Sequence, residues 1–218
     1  ASKVEKNEYF ITSAGTNGQV WTSDGDGAGA WVANSAATNI NGLTDALVED
    51  DGSMYVGNDP SSSTDGADYN VAVGTTALDA VTTGYSNTAL GYNSLTENLI
   101  GNRNTAVGSN ALKSNTSGIT NVAVGSSALE RNTTANSNTA VGYYALEENT
   151  TGAQNTAMGQ ESLDACTTGS QNTGLGAHAL GSLTTGDYNV YLGSYAQASN
   201  NNAQKEIMIG YNTAGAGD

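Results

Sequence analysis

Few residues of this chain carry chemistry. His178 is the single histidine among 218 residues. No serine, cysteine or aspartate motif surrounds it, and a lone imidazole at a variable position reads as a surface residue rather than a catalytic base. Glu147-Glu148 and Glu161 raise the paired-carboxylate chemistry of glycoside hydrolysis, yet they fall at spacer positions and read as acidic decoration. Asp24 and Asp26 could open a calcium loop, but no glutamate follows at the required spacing, so they read as a turn. Cys166 is the only cysteine, which excludes an intrachain disulfide and leaves an incidental thiol. The glycines form no phosphate-binding loop. The expectation is a protein that is not an enzyme, with no catalytic residue, metal or cofactor. Tyrosine supplies 11 of the aromatic residues. Tyr85, Tyr92, Tyr143, Tyr144, Tyr188, Tyr191, Tyr195 and Tyr211 recur near chain corners. There they suit glycan stacking or protein contact, or else line strand surfaces or an inter-chain seam. Tyr143 and Tyr144 are the candidate surface contacts.

What positions these residues is a repeat. NTAVGYYALEENTTGAQ, from Asn138 to Gln154, returns when slid by 17 residues in either direction. Its heads run from Ser53 to Glu206 in ten copies without insertion or deletion. Such a period marks a solenoid. With each copy numbered 1–17 from its head, position 5 is always glycine: Gly57, Gly74, Gly91, Gly108, Gly125, Gly142, Gly159, Gly176, Gly193 and Gly210. A required glycine implies a corner at positive φ or close backbone approach. Position 1 is Asn70, Asn87, Asn104, Asn121, Asn138, Asn155, Asn172 and Asn189, a column able to form an amide ladder. Position 9 is Leu78, Leu95, Leu112, Leu129, Leu146, Leu163 and Leu180, a core column beside the alanine or serine of position 8.

The head NTAVG reads as a short strand. Positions 2 and 4 share one face, expected to be the filled one, and position 3, usually alanine, takes the other. TTG at positions 13–15 closes the coil. The fold class is therefore all-β, a parallel β-solenoid or β-roll of 17-residue coils, a rod of roughly 45–50 Å at the stacking distance of strands. Each coil holds few large apolar side chains, and the alanine face suits close approach of another chain. Both points predict a homotrimer about a threefold axis.

The remaining chain divides into residues 1–33, a polar tail and a β-hairpin (Val20 to Thr22, a turn at Asp24–Gly27, then Trp31 and Val32), and residues 34–52. In the second segment Ile40, Leu43 and Leu47 have the spacing of a short helical seam, so it is a coiled-coil neck or a plain linker. Residues 53–218 form the repeat, its first copy degenerate with a turn signal at Asp59-Pro60-Ser61. Its last copy is incomplete at Gly215-Ala216-Gly217-Asp218, as at a cut. The net charge of −15 disfavours nucleic acid and anionic lipid as partners. No apolar run is long enough to insert in a membrane. The first residues lack the apolar core of a secretory signal, so the chain is processed or was never exported by that route.

NTAVG and NVAVG resemble the N-S-V-A-I-G heads of trimeric autotransporter adhesins, whose YadA-like head is a left-handed parallel β-roll trimer. The period here is longer, and threonine often replaces valine at position 2. The longer form NTAVGxxALxxNTTGxx, with the hairpin GTNGQVWTSDGDGAGAWV, resembles phage tail-fibre proteins, which often carry an endosialidase-type intramolecular chaperone at the C-terminus; no such module lies in this sequence. The resemblance implies a left-handed coil and the shaft or head of a virion tail fibre in host attachment. The implied partners are sister chains and a host surface glycan or protein receptor. A bacterial surface adhesin, extracellular and of the same fold, is the alternative. An ice-binding solenoid is more remote, since adjacent threonines at positions 13 and 14 point to opposite faces.

Overall fold

A computed structural model describes residues 53–56 and 66–213 in full, with the backbone of three strands between residues 19 and 48. The expected turns at Asp24–Gly27 and Asp59-Pro60-Ser61, the corner Gly57, the seam residues Ile40 and Leu43, and both chain ends lie outside the described residues. Among the described residues there is no helix.

Strands β1 (Gln19–Ser23) and β2 (Gly29–Ala33) pair antiparallel, with Trp21 opposite Trp31 in register. Strand β3 (Ala46–Val48) pairs antiparallel with β4 (Met54–Val56). From β4 onward each copy contributes one three-residue strand: β5 (Val71–Val73), β6 (Thr88–Leu90), β7 (Thr105–Val107), β8 (Val122–Val124), β9 (Thr139–Val141), β10 (Thr156–Met158), β11 (Thr173–Leu175), β12 (Val190–Leu192) and β13 (Ile207–Ile209). They form one sheet in chain order, every neighbour parallel from β4 to β13. The register holds the offset of one coil throughout, as in Ala106 beside Ala123 and Ala123 beside Ala140. The chain is thus a parallel β-solenoid. Nine steps of about 4.8 Å give roughly 43 Å of sheet.

Leu47, read as part of a helical seam or of a plain linker, lies in β3. Two helical turns are not stable alone, whereas three extended residues can cover the first strand's open edge.

The strand faces are also the reverse of the expectation. Position 3 points inward: Ala89, Ala106, Ala123, Ala140 and Ala157 are fully buried. Positions 2 and 4 face out, with Leu90, Val124, Met158 and Leu175 all exposed. Alternation fixes that the two sets oppose each other but not which set is enclosed. The volume of the coil decides it. The buried Leu95–Leu180 column and the small residues of position 8 already fill the interior, leaving room at position 3 for a methyl group. The exceptions stand at the ends. Tyr55 and Tyr191 occupy position 3 in the first and ninth copies, both fully buried. At Tyr191 the leucine column has ended, and position 9 is the half-buried Gln197.

Backbone hydrogen bonds run from coil to coil around the whole circumference. Val122 N–H donates to Asn138 O at 2.8 Å, Leu112 to Ala128 O at 3.0 Å and Arg131 to Glu147 O at 3.1 Å. In the other direction, Gly125 donates to Val107 O at 2.8 Å and Ser137 to Ile119 O at 3.0 Å. No side of the coil relies on the short strand alone.

Candidate interaction surface

The site residues named from the repeat divide into interior and surface groups. The position-1 asparagines are buried and form a column, but the link is mostly side chain to backbone. Asn121 N–H donates to Asn104 Oδ1 at 2.9 Å and Asn138 N–H to Asn121 Oδ1 at 2.9 Å. Each amide nitrogen also ties to the carbonyl 14 residues on, as Asn138 Nδ2 does to Gly152 O at 2.8 Å. One asparagine therefore satisfies a donor and an acceptor that the coil has buried.

A second amide column went unread in the sequence. Asn98, Asn115, Asn132 and Asn149 at position 12 are fully buried. Their amides donate in turn, Asn115 to Asn98 at 2.7 Å, Asn132 to Asn115 at 2.8 Å and Asn149 to Asn132 at 3.0 Å. The signal was the same 17-residue spacing, broken by Val81 before it and by Cys166 and Leu183 after it. Cys166 keeps one part of the pattern, its Sγ lying 3.6 Å from Gly169 O. Burial pushes its thiol up to about 11.

The corner glycines Gly74, Gly91, Gly108, Gly125, Gly142, Gly159, Gly176 and Gly193 all have φ between 132° and 141°. A Cβ at Gly125 would lie 2.4 Å from Gly142 O, so the column also stacks too closely for a side chain. Leu78, Leu95, Leu112, Leu129, Leu146, Leu163 and Leu180 are fully buried although each sits at φ 51–58°. The left-handed backbone at position 9 is what turns the leucine inward.

The surface is two-sided. On the sheet side, positions 2 and 4 of all ten copies carry valine, leucine, isoleucine, methionine or threonine, and no charged residue. Ile207 and Ile209 are about 70 % exposed at the end of this stripe. Eight tyrosines border it, at positions 6 and 7 on one flank (Tyr92, Tyr143, Tyr144, Tyr195, Tyr211) and 16 and 17 on the other (Tyr69, Tyr85, Tyr188). Tyr143 and Tyr144 meet edge to face with centroids 4.0 Å apart, and the Tyr143 hydroxyl raises the Tyr144 hydroxyl above its ordinary value. His178 stacks on Tyr195 at 4.7 Å, and its Nδ1 lies 3.1 Å from Glu161. Tyr211 meets Tyr195 edge-on at 6.3 Å. These contacts gather tyrosines and His178 into small aromatic clusters on one flank.

The opposite side, positions 10 to 14, holds Asp79, Glu97, Glu130, Glu147, Glu148 and Asp164 and no aromatic residue. Burial raises Glu147 and Asp164 above the ordinary carboxylate range, with Glu148 adding to the first and Glu161 to the second. Arg131 pairs with Glu148 at 2.8 Å across one coil step. The threonines of position 13 spend their hydroxyls on the next coil's carbonyl, Thr133 on Thr150 O at 3.1 Å and Thr150 on Thr167 O at 3.0 Å. Among the described residues no three His, Cys, Asp or Glu side chains gather as a metal site requires, and no helix is long and apolar enough to cross a membrane.

No family model, curated protein or solved structure matches the chain. The fold and surface define a class, a single-chain parallel β-solenoid with one uncharged, tyrosine-bordered side.

Proposed function

We propose that the chain is a non-enzymatic structural and adhesive element, the shaft or head of a homotrimeric fibre on a particle surface. The best-supported setting is a phage tail fibre that engages a host surface glycan or protein receptor. The observation that carries this reading is the outward stripe of positions 2 and 4. A chain of net charge −15 keeps every one of those outward positions uncharged over roughly 43 Å. Exposed apolar surface of that extent marks a contact. Copies this acidic would repel one another except across such a face. The thin alanine-lined core gives the same reason from inside, since the coil gains stability by covering its outer stripe. The resemblance of NTAVG to trimeric heads supports three chains. It applies equally to a bacterial surface adhesin of the same fold.

Light scattering at micromolar concentration tests the assembly, the expected mass being three times the 22.0 kDa chain. A monomer mass would end the fibre reading. Immunogold imaging with an antibody to this chain then separates a virus particle from a cell surface as the carrier.

A further inference from the structure

We propose that tyrosines on the two flanks of the stripe meet across the seams of the trimer, Tyr188 of one chain against Tyr195 of the next and Tyr85 against Tyr92. This inference rests on the homotrimer reading above and adds which residues close it.

The described outward tyrosines all lie at positions 6, 7, 16 and 17, the residues that flank each strand, and none lies on the charged side. At two levels of the rod a tyrosine stands on both flanks of the same strand. Tyr85 and Tyr92 bracket β6, and Tyr188 and Tyr195 bracket β12. Tyr92, Tyr188 and Tyr195 are 57 %, 56 % and 45 % exposed, high values for large rings that gain by burial. Within one chain the members of each pair stand on opposite flanks of the strand, with six residues between them.

Rotation about an axis parallel to the rod brings the first flank of one chain to the second flank of its neighbour at the same height. The number of chains decides whether they touch. Two chains face to face would hold their sheets about 10 Å apart, and the flanks with them. Three chains form a triangular prism whose corners are flank against flank. Tyr195 is set for such a corner. Within the chain it is held by His178 stacked against it and Tyr211 set at an edge-to-face angle, and 45 % of it stays exposed for a ring of the neighbouring chain. Tyr85 is held under the Arg103 guanidinium, 5.3 Å from its ring centroid, which fixes the partner side at the other level.

The test is a cysteine pair. Tyr188→Cys/Tyr195→Cys is made in a Cys166→Ser background, with Tyr85→Cys/Tyr92→Cys as a second pair in case the first does not fold, and circular dichroism checks each. Rings in contact hold their Cα atoms farther apart than the roughly 7 Å a disulfide allows, so a short bismaleimide is used to bridge the two thiols. It is expected to give a covalent trimer on a denaturing gel from the double variant and only single chains from either single variant. A trimer by light scattering that yields no crosslink from either pair overturns the seam assignment and leaves the fibre reading standing. A crosslinked product that stops at two chains overturns it as well. A monomer by light scattering overturns both.

Discussion

Asn149 is followed one coil on by Cys166, and the oxygen of its carboxamide is left buried without a hydrogen-bond partner. In the preceding coils that oxygen receives the next asparagine's amide, as Asn132 Oδ1 does from Asn149 at 3.0 Å. The ladder stops because a thiol is too short and too weak a donor to continue it.

Cys166→Asn should therefore stabilise the chain. It supplies Asn149 with its missing donor and keeps a donor for Gly169 O. The expected gain is about 1 kcal/mol, read as a rise of roughly 2–4 °C in thermal midpoint. No rise, or a fall, would show that the space at Cys166 does not admit an amide.

The same thiol should resist alkylation in the folded protein. It is fully buried, and its raised pKa leaves little thiolate at pH 8. Iodoacetamide is expected to label Cys166 only after denaturant is added; rapid labelling of native protein would contradict the burial.

The two glycine columns should differ in tolerance. Gly125→Ala meets both a φ of 139° and Gly142 O, and is expected to cost about 3 kcal/mol or more. Gly118→Ala, at position 15, meets Asn115 Oδ1 at 2.3 Å and Ala135 O at 2.4 Å but no positive φ. Ala135 and Ala203 already occupy that position in other coils. Urea melts should rank the first variant well below the second.

The period, the corner glycines and the leucine column were legible because each is a single residue type recurring at one spacing. The inward face was not. Thr105, Ala106 and Val107 alternate whichever side is enclosed, and only the volume beside Leu112 selects the alanine. The second amide column was obscured because Val81, Cys166 and Leu183 occupy its position in other coils. Tyr191 looked like one more variable tyrosine and Tyr55 went unread, since the burial of both depends on where the coil stack runs out of leucines.

Asp164 gives a pH signature. Its folded pKa is raised, chiefly by burial, so the folded state holds its proton more tightly than the unfolded chain. The stability this contributes is present below the ordinary aspartate value and is lost as pH rises through the raised one. Asp164→Asn should raise the midpoint at pH 7 and make little difference at pH 3. Glu206 has the opposite sign. Burial pushes it up, but hydrogen bonds from Ser199 and Tyr191 outweigh that and lower it. The last described coil should therefore loosen as pH falls through the lowered value, seen as faster amide exchange at residues 199–209.

Val124→Lys tests the outward stripe. The side chain is 37 % exposed in the single chain, so its fold should survive with an unchanged circular dichroism spectrum. Assembly would instead bury an unpaired ammonium, a penalty of several kcal/mol. The mass by light scattering is expected to drop to one chain; a retained trimer would place Val124 outside the contact.

The hydrogen bonds that join coil to coil all run along the length of the rod. Axial tension on one chain therefore loads them in series, so every rung carries the full force and the weakest one opens first. Binding three such chains side by side changes that mechanical circuit. In the fibre proposed above a rung would open only by breaking in all three chains, the behaviour that a tether between a particle and a surface would need.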